Sequence, residues 1–276
     1  MIVFESKIMV PHNAQLHFSD HSEGMRVVGL TMCRNARQTV AATLSNLSKF
    51  CDVICAIDDR STDGSVCEVR RWPKLGALIM LDSGISTKPW YFSEALLHEA
   101  LYRMAEPFHP DWLIQLEADE TLEPANSVRP LLQCAPSGVR SFAVRRVNTW
   151  TDKRYPDMVP LLGTGTSVTR CVWRFAPGLK PQPKRLHNSR SPYFDDPPER
   201  YLCASSIMVK HSGWSTLRKR FDAATLYTTL DPSCGLNGGL RYDEGLLFGY
   251  RRDQIRKLLR HYKAMRRLVG TPQREK

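Results

Sequence analysis

The sequence predicts an α/β fold in which a mostly parallel central sheet carries helices on both faces. Up to about residue 135, short and fully apolar stretches of strand length alternate with segments that place apolar residues at helical spacing. Strands that are apolar throughout are buried on both faces, which is typical of parallel sheets covered by helices. After residue 136 the pattern becomes rich in strands and ends in helical segments, so we expect a β-rich and helical C-terminal region.

The elements can be placed in order along the chain. Residues 1–24 show no clear period and are interpreted as an N-terminal arm or edge element. The first half is predicted to contain strands at 25–32, 53–57, 77–81 and 112–116 and helices at 36–50, 65–72, 91–104 and 125–133. The second half is predicted to contain strands at 141–147, 167–175 and 203–209, a long loop at 177–198, and helices at 217–230 and 253–269.

Net charge and composition exclude several classes of protein. The chain of 276 residues has 39 basic and 28 acidic groups, and 42% of its residues are hydrophobic, which excludes a fully disordered chain. The segments 170–220 and 251–276 each carry a charge of +8, and the rest of the chain is slightly acidic. A basic surface of this kind can bind nucleic acid, anionic lipid or a nucleotide.

The sequence also bears on cellular location. No stretch approaches the roughly 18 apolar residues of a membrane-spanning helix, and we find no secretory signal at the N-terminus. The 8 cysteines form no C-x-x-C pair, which favours reduced thiols. We expect a cytoplasmic protein, with peripheral contact to the inner face of a membrane left open.

Two strands of the first half end in acidic clusters. The strand at 53–57 runs into Asp58-Asp59-Arg60-Ser61-Thr62-Asp63-Gly64, and the strand at 112–116 runs into Glu117-Ala118-Asp119-Glu120. In open α/β sheets, ligands bind at the carboxyl ends of the strands. Both clusters are therefore candidate binding sites.

These segments together resemble family-2 glycosyltransferases with the GT-A fold, which is Rossmann-related. The resemblance lies in Arg34-Asn35 after the first strand, in residues 57–65, and in residues 112–120, which look like the family's W-x-L-x-L-D-x-D-E element. Weaker likenesses at 172–179 and 209–213 extend it to about residue 232. It implies a sugar nucleotide such as a UDP-sugar as donor, and Mn²⁺ or Mg²⁺ as cofactor.

The resemblance divides the chain into four parts. It implies a nucleotide-sugar-binding half at 25–135 and an acceptor-side half of the same domain at 136–250. These follow the arm at 1–24 and precede a basic amphipathic helix and tail at 251–276, which lie beyond the resemblance.

The first acidic cluster is the candidate donor site. Asp58 at a strand end can accept hydrogen bonds from the N–H groups of a base, and the resemblance implies that role. The alternative is a structural turn or helix cap, which we favour for Asp63. The candidate donor-binding residues are Arg34, Asn35, Asp58, Asp59, Asp63, Glu120, Lys210 and Arg218.

The second cluster is the candidate metal site. Glu117 and Asp119 offer the hard oxygen ligands that Mg²⁺ and Mn²⁺ prefer, and such an ion can bridge a diphosphate. The resemblance makes Asp119 the direct ligand and places Glu120 near the donor sugar, with His211 completing the site. Glu117 stands where the family has Asp, which leaves its coordination open. The alternatives are a solvated acidic turn and a structural histidine.

The catalytic base is not decided by the sequence. Related enzymes take it from the loop after the Arg-Phe strand, from an acidic residue or a His-Glu pair, but here His187 is followed by Asn188. The candidates that can accept the proton of an acceptor hydroxyl are His187, Asp195, Asp196 and Asp157.

The function indicated is therefore glycosyl transfer from a nucleoside diphosphate sugar to an acceptor hydroxyl, with inversion if the chain follows the resemblance. The acceptor is left open among a glycan, a protein, a lipid-linked sugar and a modified DNA base. The alternative is a catalytically inert GT-A-like module that binds nucleic acid or an anionic membrane through its basic C-terminal half. A nucleotidyltransferase is disfavoured because the first strand lacks a Gly-rich Lys/Arg signature.

Overall fold

The protein was analysed as a computed structural model that describes residues 7–9, 24–81, 94–148, 166–183 and 189–212. Several predicted features lie outside these described ranges. They are most of the N-terminal arm, the helices predicted at 217–230 and 253–269, and the candidate residues Asp157, His187 and Arg218.

The described strands form one mixed sheet. They are β1 (Lys7–Met9), β2 (Val27–Cys33), β3 (Val53–Asp58), β4 (Leu75–Met80), β5 (Trp112–Glu117), β6 (Glu120–Glu123), β7 (Ser141–Asn148), β8 (Thr166–Arg174) and β9 (Tyr201–His211). Their order across the sheet is β1-β4-β3-β2-β5-β8-β7-β9-β6.

Strands β4, β3, β2 and β5 form a parallel core within this sheet. Val28 of β2 pairs with Val53 on one side and Leu113 on the other. The strands that follow β2 in the chain, β3 and β4, lie on one side of it, and β5 lies on its other side. This reversal of direction creates a topological switch point between β2 and β5. In such sheets the ligand crevice lies outside the carboxyl ends of the strands at this point.

Helices cover both faces of the parallel core, as the sequence predicts. The helices are α1 (Arg37–Leu47), α2 (Ser65–Arg70), α3 (Glu94–Ala105) and α4 (Val128–Gln133). Apolar residues of α1, α2 and α4 pack in one buried cluster, whereas Leu97, Leu101 and Tyr102 of α3 pack in a second cluster with Val28, Leu30 and Ile57. The prediction of an α/β fold with two covered faces is confirmed.

The second half of the sheet curls back toward the first. Three strands, β8, β7 and β9, lie between β5 and β6 in the sheet, yet Ala118 and Asp119 alone join β5 to β6 along the chain. β5 pairs with β8, β8 with β7, β7 with β9 and β9 with β6, so the last strand must return to the end of β5. The turn at Ala118-Asp119 closes this curl.

Some elements differ from the prediction. β6 was expected to be part of a polar turn, because a four-residue strand with two glutamates carries little strand signal. The helix predicted at 125–133 begins with a 3₁₀ turn at Ala125–Ser127. Lys7–Met9 of the arm pairs antiparallel with β4 and forms an edge strand. None of the described helices is long and apolar enough to cross a membrane.

Candidate functional site

The carboxyl ends of β2, β3 and β5 lie side by side. Cys33 pairs with Asp58, and Met32, one residue earlier in β2, pairs with Glu117. The three polar segments that follow these strands therefore meet at one edge of the sheet. This is the edge at which the sequence predicts a ligand site.

Asp58 closes the turn after β3. Its Oδ2 accepts the backbone N–H of Ser61 at 3.0 Å, and its Oδ1 accepts the thiol of Cys33 at 3.3 Å. The side chain is 3% exposed. One carboxylate oxygen is therefore held by a strong donor and the other by a weak one.

Asp59 holds two arginines at the same edge. Its carboxylate lies 3.2 Å from Nη1 of Arg34 and 2.7 Å from Nε of Arg60. Arg60 and Asn35 both have positive φ, of 58° and 50°, which costs energy for residues with a Cβ. The side chain of Asn35 offsets part of this cost, because its Oδ1 accepts the N–H of Thr62 at 2.8 Å.

Asp63 links the beginnings of two helices. Its carboxylate accepts the N–H of Ser65 in α2 and the N–H of Arg37 in α1, both at 3.0 Å. Partial burial works to raise the pKa of Asp63, but these hydrogen bonds and one from the Ser65 hydroxyl outweigh it and keep the pKa below its ordinary value. The geometry favours the structural interpretation of Asp63 over contact with a donor.

Glu120 is fully buried at the start of β6. Its carboxylate binds Nη1 and Nη2 of Arg190 at 2.5 and 3.0 Å, and Nε of Arg146 lies 2.9 Å away. Burial alone would raise the pKa of Glu120, but the two guanidinium groups lower it to about 2. In this arrangement the carboxylate faces the two arginines, and contact between Glu120 and a donor sugar stays a prediction.

Glu117 is tied into the same cluster. Its backbone N–H donates to Oε2 of Glu120 at 3.1 Å, and its own carboxylate lies 3.3 Å from Nε of Arg190. Burial raises the pKa of Glu117, and the nearby carboxylates add to this effect while Arg190 opposes it.

The structure brings Asp119 and His211 together. Oδ2 of Asp119 lies 3.4 Å from Nε2 of His211, because Glu120 and His211 are paired residues of β6 and β9. The carbonyl of Asp119 also accepts the N–H and the hydroxyl of Ser212, at 2.8 and 2.9 Å. Within the described ranges, no group of three His, Cys, Asp or Glu side chains could hold a metal ion. Asp119 and His211 therefore offer a metal ion two protein ligands.

Lys210 lies apart from this pair. Successive side chains of a strand point to opposite faces, and here His211 is buried while Lys210 is exposed. The ammonium group of Lys210 is 3.9 Å from Glu123. The side chain of Lys210 thus lies on the other face of β9 from His211, and its role in donor binding stays a prediction.

Asp196 contacts an arginine whose backbone lies at the opposite edge of the sheet. Asp196 is 3.2 Å from Arg140, whose backbone carbonyl accepts the N–H of Arg174. Arg174 pairs with Trp112, the first residue of β5, whereas Asp119 follows its last residue. A six-residue strand spans about 20 Å, so the Asp196–Arg140 pair involves the edge of the sheet far from Asp119, and the identity of the base stays a prediction.

Arg190 is the residue of the site that sequence reasoning missed. It belongs to the predicted loop 177–198, yet it is 8% exposed, and its carbonyl accepts the hydroxyl of Tyr102 in α3. The signal that could have revealed it is the acidic run itself, because buried glutamates require cationic partners.

No protein-family model matches the chain. Two curated proteins, from Mycobacterium tuberculosis and Mycobacterium bovis, are each 35% identical to it over 246 residues, and both are described as uncharacterised. The matched region covers 89% of this chain and 60% of each relative, so the chain spans about three fifths of the length of these relatives.

Among solved structures, the fold is similar to two that contain a nucleotide sugar. S. aureus TarS in complex with UDP-GlcNAc is 10% identical, with a TM-score of 0.44 over 83% of this chain and 77% of that one. Glucosyl-3-phosphoglycerate synthase from M. tuberculosis, in complex with Mn²⁺, UDP-glucose and phosphoglyceric acid, is 14% identical, with a TM-score of 0.45 over 77% and 81%. Both likenesses are distant.

Proposed function

We propose that the chain transfers a glycosyl group from a nucleoside diphosphate sugar to an acceptor hydroxyl, with a divalent ion at Asp119 and His211. The observation that carries this proposal is the 3.4 Å contact between a carboxylate and an imidazole at the carboxyl edge of the sheet. It lies beside the switch point between β2 and β5, where open α/β sheets bind ligands.

The donor set at Asp119 and His211 fits a divalent ion completed by phosphates. Ions such as Mg²⁺ lie about 2.1 Å from their ligands and are commonly held by one or two protein groups plus substrate phosphates. Two ligands at right angles on such an ion are about 3 Å apart, close to the separation of the two side chains. The ion would offset the negative charge that develops on the departing nucleoside diphosphate.

The turn after β3 would bind the nucleoside. Oδ1 of Asp58 accepts a weak thiol donor, which the N–H of a base could replace. Arg34, whose side chain is 43% exposed, is held at the same edge by Asp59 and would contact the ribose or the diphosphate. In this proposal Asp59 and Asp63 shape the turn, and Glu120 fixes the arginines behind the metal pair.

The test combines ligand binding with a single substitution. UDP, GDP, dTDP and CMP sugars are screened by thermal shift with and without Mn²⁺, because a ligand stabilises the form that binds it. Asp119→Asn should reduce Mn²⁺-dependent hydrolysis of the responding donor at least about 100-fold, as the loss of a transition-state contact does.

A matched control is Asp111→Asn, at the other end of β5. Its carboxylate accepts the N–H of Arg26, a bond that the amide oxygen can also accept, so donor hydrolysis should be unchanged. If no sugar nucleotide stabilises the protein, the proposal fails and the alternative of an inert binding module gains support.

A further inference from the structure

One guanidinium group serves both glutamates that flank Asp119. Nη1 and Nη2 of Arg190 bind Glu120, and Nε lies 3.3 Å from the carboxylate of Glu117. All three nitrogens thus face carboxylate oxygens. The side chain of Arg190 is 9% exposed and that of Glu120 is fully buried, so the contact is built into the core.

Glu117 is the carboxylate that could join Asp119 as a further ligand of a bound ion. It is two residues away along the chain, and its carboxylate is close enough to affect the electrostatics of its neighbours. The side chain is 34% exposed, so solvent ions can approach it. Its charge is nevertheless directed at Arg190, and in the described part of the chain it does not join Asp119 and His211 as a third metal ligand.

We propose that Arg190 is a positioning residue that holds Glu117 away from the ion at Asp119 and His211. The inference rests on the proposed function, since it concerns the same ion. A site with two protein ligands binds a divalent ion weakly, and affinity rises with the number of charged ligands. Withholding Glu117 therefore makes capture of the ion depend on the oxygens of the nucleotide diphosphate.

The electrostatics of the cluster support this role. Glu117, Asp119 and Glu120 lie within four residues, and Arg190 and Arg146 face two of them. A cluster with one more free carboxylate would attract divalent ions even without a nucleotide. Arg190 thus favours an ion that arrives with its diphosphate.

The experiment measures Mn²⁺ binding by water-proton relaxation, with and without UDP and with no donor sugar present. In the unmodified protein, UDP should tighten Mn²⁺ binding at least about tenfold. Arg190→Gln should tighten binding of Mn²⁺ alone by about tenfold, because Glu117 becomes a third ligand, and the effect of UDP should shrink accordingly.

A second substitution identifies the ligand responsible. Adding Glu117→Gln to Arg190→Gln should return the affinity for Mn²⁺ alone to that of the unmodified protein. Glu117→Asp provides an independent route if Arg190→Gln does not fold. It leaves the Arg190–Glu120 pair intact, shortens the carboxylate away from Nε and should also tighten binding of Mn²⁺ alone. The matched control is Arg140→Gln at the opposite edge of the sheet, which should bind Mn²⁺ as the unmodified protein does.

The possible outcomes separate this inference from the proposed function. The inference is overturned if folded Arg190→Gln and Glu117→Asp bind Mn²⁺ alone no more tightly than the unmodified protein. It is also overturned if the tightening persists when Glu117 is Gln. If Mn²⁺ binding to the unmodified protein responds to none of UDP, GDP and dTDP, the proposed function itself fails.

Discussion

The two acidic turns at the carboxyl edge differ in the donors that most of their carboxylates use, although Asp59 of the first turn pairs with two arginines. After β3, Asp58 and Asp63 accept backbone N–H groups of the same turn and of α1. After β5, Glu117 and Glu120 are paired with Arg190, which lies 70 residues beyond Glu120 along the chain. The partners of the first turn lie within 26 residues of it along the chain, whereas Arg190 lies 70 or more residues from the glutamates of the second.

This difference indicates at which of the two turns the removal of one charged side chain should cost more stability. A backbone N–H is present whatever the side chain, and losing one such bond costs a modest amount. A buried carboxylate with guanidinium partners is costly to disturb, because removal of one member leaves the others charged and unpaired. The predictions below test this contrast, beginning with the largest expected effect.

Removal of the Glu120 carboxylate should cause the largest loss of stability. Glu120→Ala leaves Arg190 buried without its main partner, so we expect the free energy of unfolding to fall by about 3–5 kcal/mol. Urea denaturation measures this loss. Substituting Met for both Glu120 and Arg190 should recover much of it, since no charge on either residue is then left buried, and a double variant as unstable as the single one would contradict the argument.

The surroundings of Arg190 should also make stability depend on pH. His98 of α3 is 2% exposed, and burial together with the charge of Arg190 lowers its pKa to about 4. The folded chain keeps this imidazole neutral, so the unfolded chain binds one more proton between pH 6.5 and 4. The free energy of unfolding should therefore decrease as the pH is lowered from 6.5 to 4, by up to about 3 kcal/mol in total.

His98→Asn isolates this contribution. The variant should lose less stability than the unmodified protein when the pH is lowered from 6.5 to 4.5, as measured by denaturation at each pH. Equal pH dependence in the two proteins would show that His98 is not the responsible group.

Asp63→Ala should have a smaller effect at the turn after β3. The substitution removes the acceptor for the N–H groups of Arg37 and Ser65, and we expect a loss of about 1–2 kcal/mol. Asp63→Asn keeps an oxygen acceptor and should retain part of the stability. A loss as large as that of Glu120→Ala would remove the contrast between the two turns.

The smallest effect is expected on the exposed face of α3. Arg103 and Glu99 form an ion pair with a separation of 2.6 Å, but the side chain of Arg103 is 72% exposed. Arg103→Gln should change the free energy of unfolding by about 0.5 kcal/mol or less. This variant gives the baseline against which the other substitutions are judged.

The sequence predicted the parts of the fold that depend on local pattern. The apolar strands, the helices on both faces and the position of the acidic turns follow from periodicity and from strand ends, and the structure confirms these elements. β6 was missed because its pairing with β9 depends on the curl of the sheet, which leaves no local signal in four residues.

The sequence predicted part of the candidate site and missed another part. The resemblance implied that Asp119 and His211 share one site, and the structure brings them together, although no periodicity links residues 119 and 211. Asp195 and Asp196 are candidates because they lie in the predicted loop, where Asp196 pairs with Arg140, and the identity of the base stays a prediction. Arg190 was missed because an arginine in a Pro-rich loop resembles a solvated one until the tertiary contacts are known.

Because the turn at Ala118-Asp119 closes the curl of the sheet, a ligand bound there would affect how easily the sheet opens. Asp119 belongs to the connection that closes the curl, and His211 is the last residue of the strand on the other side of the seam. A ligand that binds both groups would join the two sides of this seam. Its binding free energy would then add directly to the energy needed to open β6 from β9, and the amides of these strands should exchange with solvent more slowly in its presence.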